Sequence, residues 1–164
     1  MFTGIVQKVA PILSVIPAGK CLRVRIKKPV RWKIALGQSV AVDGVCSTVV
    51  SQKPAFFEVD YMPETLARTT ARTFEKNNIV NLEQPLTLED FVNGGLVQGH
   101  VDACGTVEKR AEKGKTVTLR IAIPAALRKY IAPKGAVTVN GVNLTVVRRA
   151  KDVFAVALIP YTLA

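Results

Sequence analysis

The chain has 164 residues, enough for one ordinary domain or two very small ones. Hydrophobic residues make up 49% and charged residues 21%, which supports a packed core and excludes wholesale disorder, and no apolar run reaches the ~18 residues of a membrane-spanning helix. Lys and Arg outnumber Asp and Glu by 23 to 12, a formal charge of +11, but the basic residues are dispersed and one Trp and three Tyr give no platform for stacking bases. A solvated basic surface is expected, with neither a nucleic acid nor a membrane as partner.

Taken in chain order, short Val- and Ile-rich runs set between frequent Pro and Gly predict β-strands over 3–9, 21–26, 38–43, 45–50, 56–61 and 78–83. Asp43-Gly44 joins two of these runs and predicts a tight hairpin, because Gly tolerates a positive φ. Short helices are expected over 29–35 and 63–70, each opened by a proline whose fixed φ suits a first turn. No long amphipathic helix is present, nor any strand–helix alternation with Gly-rich phosphate loops, which excludes a doubly wound nucleotide-binding fold. Met1 runs into MFTGIV with no basic leader or cleavage site, so a cytoplasmic protein is expected. Cys21, Cys46 and Cys104 form no CxxC pair, and an odd number suggests reduced thiols. His100 and Cys104 stand four apart without two further ligands, so no metal is expected.

The decisive feature is an internal repeat. Shifted by 97 residues, SVAVDGVCSTVV (39–50) falls on AVTVNGVNLTVV (136–147), FEVDYMPETLA (57–67) on FAVALIPYTLA (154–164) and CLRVRI (21–26) on TLRIAI (118–123), with about 19 identities in roughly 47 pairs. Allowing two extra residues in the second copy also brings TGIVQ (3–7) onto QGHVD (98–102). A repeated six-strand unit implies two small tandem barrels, since closure is how such units remove exposed edges. The domains expected are 1–94 and 95–164. The second copy ends at the equivalent of Ala67, before any counterpart of the strand IVNLE (79–83), so its barrel is expected to lack a final strand; a fragment of a longer product is the favoured explanation, with a strand supplied by another chain or a truly open second copy as the alternatives.

MFTGIV, GVCSTVV, MPETLART, VNLE and GHVD, followed by VNGVNLTVV and LIPYTLA, stand in the order and spacing of the alpha-type riboflavin synthase family, which the chain resembles along its whole length. The resemblance implies an all-β fold of two tandem six-stranded Greek-key barrels related by duplication. It implies a transferase that moves a four-carbon unit between two molecules of 6,7-dimethyl-8-ribityllumazine, giving riboflavin and 5-amino-6-ribitylamino-pyrimidinedione without a cofactor. Each barrel of the family binds one lumazine, and the active site forms between the N-terminal barrel of one subunit and the C-terminal barrel of another. The family is typically a homotrimer held by a C-terminal helix, which this sequence does not contain. A non-catalytic lumazine- or flavin-binding paralogue is the alternative, but such proteins lose the cysteine and histidine motifs that this chain keeps.

The reaction removes a proton from the C7 methyl of one lumazine and needs attack at C7 of the other, by water or a side chain, with both ligands held in register. His100, in GHVD, is of the residue type that exchanges protons near neutral pH. By repeat symmetry it matches Ile5, on a strand facing the second ligand site, unless it is a structural strand histidine. Cys46 matches the family's active-site cysteine and Ser39 a nearby serine; packing of the thiol is the simpler alternative. Thr48 and its partner Thr145 offer hydroxyls to a ligand, or serve only strand propensity. Phe2 is expected to lay an aromatic face near the lumazine, with Thr3, Gly4, Ile5 and Val6 offering backbone groups, and Gly99 and Val101 doing likewise in the second copy. Asp60, Met62, Glu64 and Thr65 stand where the family holds the ribityl chain, with Ile159 and Thr162 among their second-copy counterparts; first-turn capping is the alternative for Glu64 and Thr65. Asn140 and Asn143 replace the Asp and Ser usual in the second barrel, Ser47 replaces a Leu as a cavity-scale change, and Tyr161 stands where Glu is common.

Overall fold

The computed structural model describes residues 1–163. They form two compact units, the first made of Met1–Asp102 with Asn140–Val142, the second of Ala103–Val139 with the residues from Asn143 onward.

The first unit has six strands: β1 (Lys8–Ala18), β2 (Cys21–Lys27), β3 (Ser39–Val42), β4 (Val45–Gln52), β5 (Phe56–Tyr61) and β6 (Ile79–Glu83). They close into a barrel in the order β1-β2-β5-β4-β3-β6. Period-two alternation sends one set of side chains inward: Ile12, Val24, Ile26, Val40, Val42, Phe57, Val59 and Leu82 are wholly buried. Each contributes about 1.5–3 kcal/mol of burial. Helix α1 (Pro63–Arg68) and a 3-10 turn (Thr70–Thr73) connect β5 to β6, and Leu66, Ala71 and Phe74 of this connection pack onto the same core. The β3–β4 hairpin turns at Asp43 (φ 47°) and Gly44 (φ 80°), two positive φ values that define the tight turn expected from the sequence.

The second unit carries β7 (Thr106–Lys113), β8 (Thr116–Ala122), β9 (Ala136–Val139), β10 (Val142–Ala150), β11 (Val153–Leu158) and the short α2 (Pro160–Leu163). Its sheet runs β7-β8-β11-β10-β9, the order of the first barrel without a strand in the place of β6 among the described residues. Ile121, Val146, Phe154 and Val156 form its core. Every residue of β7 is exposed, and β7 and β9 are the sheet's edges. The first sheet is therefore a closed barrel and the second an open one.

Equivalent hydrogen bonds confirm the duplication. Gly37 N–H donates to Val49 O (2.8 Å) and Val49 N–H to Gln38 O (2.9 Å); Lys134 N–H donates to Val146 O (2.8 Å) and Val146 N–H to Gly135 O (2.9 Å). The register shift between Val49 and Ser51 recurs between Val146 and Arg148. The structure corrects one part of the repeat. Lys27 pairs with Phe56 and Ala122 with Val153, so β2 and β8 are related by 95 residues rather than 97. The two extra residues lie after β8, in the loop that holds a 3-10 helix (Ala125–Tyr130), and not before it. A slip of two keeps every side chain on its own face of the sheet, which is why the pattern of CLRVRI against TLRIAI hid it.

Other expectations also change. Residues 29–35 form no helix: Trp32 N–H reaches Pro29 O at 3.2 Å, but Arg31 adopts φ 68° and breaks any continuation, while Ile34 turns into the core. The helix expected over 63–70 stops at Arg68, because Thr69 is extended and turns the chain. The strand expected over 3–9 begins only at Lys8 and runs to Ala18, through Pro11 and Pro17, which the sequence suggested as punctuation. Residues 3–7 lie outside it, since Gly4 has φ 73° and its N–H is engaged elsewhere. His100 is likewise not on a strand; residues 98–105 carry no ladder.

Candidate active site

The outer wall of the first barrel, opposite its core, brings several of the expected residues together. Across β3, β4 and β6, Ser39 faces Thr48, Ala41 faces Cys46, and Ala41 also faces Glu83. The intervening Val40, Val42, Val45 and Val49 point into the core, so Ser39, Ala41, Cys46, Thr48 and Glu83 share the outward face. Ser39 and Cys46 are half-buried and Thr48 is exposed.

Two segments cover this face. The first is the start of the chain, tied down by Glu83. Its Oε1 accepts Thr3 N–H (2.6 Å) and Thr3 Oγ1–H (2.7 Å), and its Oε2 accepts Gly4 N–H (3.0 Å). Thr3 Oγ1 also accepts Ile5 N–H (3.2 Å). The second is residues 94–101. Phe2 and Val97 exchange both backbone bonds (2.7 and 2.9 Å), and Gly95 N–H donates to Thr3 O (2.9 Å). Gly99, buried at φ 79°, then crosses Cys46 and accepts its N–H through a 2.9 Å bond. A Cβ on Gly99 would stand 2.8 Å from Cys46 Cβ and 2.9 Å from Cys46 N, so only glycine fits. The exposed His100 follows directly, and the half-buried Val101 packs against the barrel core.

The roles of several residues change accordingly. Phe2 is 1% exposed, so it anchors the segment and presents no open ring face. The N–H groups of Thr3 and Gly4 are spent on Glu83 and are not offered to a ligand. Ile5 is exposed and Val6 half-buried. Both oxygens of Asp60 take the Arg23 guanidinium at 2.8 Å, which holds this carboxyl below its ordinary range. Met62 is the N-cap of α1 without a side-chain cap bond, is exposed, and accepts the Cys21 thiol at 3.3 Å. Glu64 lies in the first turn and pairs with Arg68 one turn on, and Thr65 O accepts both Thr69 N–H (3.0 Å) and Thr69 Oγ1–H (2.7 Å).

Ser47 points inward and is buried. Its hydroxyl lies 2.9 Å from both Val45 O and the Tyr61 phenol. With its proton given to Val45 O, it accepts from Tyr61, whose buried phenol is pushed up above its ordinary range by desolvation.

Asp43, not selected from the sequence as a site residue, is held by two bonds to Asn81: Asp43 N–H to Asn81 O (2.9 Å) and Asn81 N–H to Asp43 Oδ1 (2.7 Å). Burial pushes its carboxyl up to about 6, against the lowering effect of the Asn81 N–H. It lines a cleft of about 370 Å³ with Thr70, Thr73, Phe74, Asn78 and Asn140. The exposed Asn140 repeats the Asp43 backbone (φ 47°), and its O accepts Asn81 Nδ2–H at 3.0 Å. On the second unit Asn143 is half-buried, while Thr145, Ile159 and Thr162 are exposed. No group of side chains able to hold a metal occurs among the described residues.

The lumazine binding domain model matches residues 3–85 and again 98–164. Riboflavin synthase from Bacillus subtilis is 34% identical over 100% of this chain and 77% of its own length. Riboflavin synthase from Mycobacterium bovis is 38% identical over 99% of this chain and 83% of its own length. A crystal structure of LumP complexed with riboflavin superposes with a TM-score of 0.91 over 99% of this chain and 89% of that one; at 24% identity it supports the fold alone. Two matched domains and these identities over the whole chain place it, with its duplicated lumazine binding domain, in the riboflavin synthase family.

Proposed function

We propose that this chain is a riboflavin synthase, a transferase that converts two molecules of 6,7-dimethyl-8-ribityllumazine into riboflavin and 5-amino-6-ribitylamino-pyrimidinedione. The products together contain the atoms of the two substrates, so no oxidant or cofactor is required. The observation that carries the reading is the seating of Gly99 over Cys46 on the barrel wall, which sets a thiol, the histidine that follows Gly99, and the hydroxyls of Ser39 and Thr48 in one region. His100 takes the C7-methyl proton of the donor, and Cys46 or a water beside it adds to C7 of the acceptor. Asn143, Thr145, Ile159 and Thr162 line the second lumazine site, with Asn140 beside it, and by the sequence repeat the two lumazine-binding domains are residues 1–94 and 95–164, the first a closed Greek-key barrel and the second an open sheet with the same strand order. The working form is a cytoplasmic homo-oligomer, a trimer in the family, in which the sites are completed between copies, a reading supported by the family resemblance; sedimentation of the purified chain measures its stoichiometry.

Addition of 6,7-dimethyl-8-ribityllumazine to the purified protein tests the activity directly. Riboflavin absorbance grows as lumazine absorbance falls. A fluorescence change on binding with no riboflavin formed would replace the enzyme with a non-catalytic lumazine-binding protein.

A further inference from the structure

Glu83 is 4% exposed, and its carboxylate takes three hydrogen bonds, all from the first residues of the chain. A strand residue on an outward face gains nothing for the barrel core from that burial. What it does is fix Thr3 and Gly4. Fixed in this way, Thr3 presents its carbonyl to Gly95 N–H and Phe2 presents its backbone to Val97. The returning segment has a single track: a Cβ on Gly94 would stand 2.4 Å from Thr3 O. Two residues beyond Val97, Gly99 lands on the Cys46 amide and His100 follows. A continuous set of bonds thus runs from the Glu83 carboxylate through residues 2–4 and 95–97 to the backbone over Cys46.

We propose that Glu83 is a positioning residue for the reaction: it holds the Gly99-His100 segment against Cys46 through the chain start, without touching substrate. This rests on the reading of Cys46 and His100 as site residues. Charge-assisted bonds to a carboxylate are the strong kind, and three of them on one buried group make the register of the start well defined. Glu83→Gln keeps the shape but removes the charge. It also leaves its NH2 facing one of the three donors, either Gly4 N–H or the Thr3 pair, so at least one bond is lost.

The test combines amide exchange with steady-state kinetics on the full chain. In Glu83→Gln, exchange at the Cys46 amide, which donates to Gly99 O, accelerates at least tenfold, and kcat for riboflavin formation falls at least tenfold with KM changed less than threefold. Val80→Ala, an inward residue on the same strand, destabilises the barrel but leaves Cys46 exchange and kcat near wild type at a temperature where it is folded. Thr3→Val removes one of the three donors and produces the same two changes at smaller size, which decides the matter if Glu83→Gln does not fold. Wild-type exchange and kcat in both variants overturn the positioning role, as does an equal loss in Val80→Ala. A wild-type chain that makes no riboflavin refutes the reading of the site by itself, before any variant is compared.

Discussion

Asp43→Asn removes a pH dependence that the fold builds into its first hairpin. In the folded chain burial raises the Asp43 carboxyl from 3.8 to about 6, a difference equivalent to about 3 kcal/mol. Below pH 3.8 both folded and unfolded chains hold the proton, and stability is unaffected. Between 3.8 and 6 the unfolded chain releases it while the folded chain retains it, so stability falls as pH rises; above 6 the cost is constant. Asparagine removes the titration and little else. Asn140 adopts the same φ of 47° in the equivalent turn, and an amide oxygen still accepts from Asn81 N–H. The assay is urea unfolding from pH 3.5 to 7.5, read by the fluorescence of Trp32, which packs on the first core and is the only tryptophan. Because Asp60, Asp90 and Asp152 are held below their ordinary range and act in the opposite sense, the informative quantity is the difference between the two proteins. The variant gains on wild type from pH 4 to 6.5, by up to about 3 kcal/mol, and then holds a constant advantage. Parallel curves across that window, or a variant less stable at pH 7.5, would refute the assignment of a buried, strained charge to Asp43.

Gly99→Ala costs about 1–2 kcal/mol for the left-handed backbone alone, and its Cβ, 2.8 Å from that of Cys46, displaces the segment enough to slow riboflavin formation roughly 100-fold; unchanged turnover removes Gly99 from the site. His100→Ala slows turnover roughly 10²–10⁴-fold while lumazine binding, read by fluorescence titration, stays near wild type. Ser47→Ala strands the buried Tyr61 phenol and destabilises by about 1–3 kcal/mol in urea, and the double variant Ser47→Ala/Tyr61→Phe recovers most of the loss.

Much of the fold was readable because alternation and turn chemistry are local. The β2–β5 runs and Asp43-Gly44 carry their geometry in neighbouring residues, the family resemblance pointed to Cys46, and duplication of the motif pointed to Thr48. What escaped was set at a distance. The strand expected at 3–9 failed because Glu83, eighty positions on, captures Thr3 and Gly4 in place of a ladder. The helix expected at 29–35 failed at Arg31, whose positive φ has no marker in its side chain. Asp60 looked like a free acceptor because its partner Arg23 lies across the sheet, and Glu83 looked like an ordinary strand end because its donors are on the first turn of the chain.

The repeat in sequence and the units in space divide differently. Gly99 is the repeat partner of Gly4, yet it lies in the first unit, over Cys46, as does the whole stretch to Asp102. The start of each copy therefore serves the same barrel wall. Residues 3–4 are held there by the Glu83 side chain, and Gly99 is held by a backbone bond to β4. Glu83 needs a β6 to stand on, and the described residues of the second sheet contain no such strand. A cut placed at the repeat boundary, before residue 95, would accordingly strip the first barrel of the segment that covers Cys46 while leaving its six strands intact. In such a piece the motif GVCSTVV remains but the Cys46 N–H loses its Gly99 partner, so its amide exchange is expected to be faster than in the full chain.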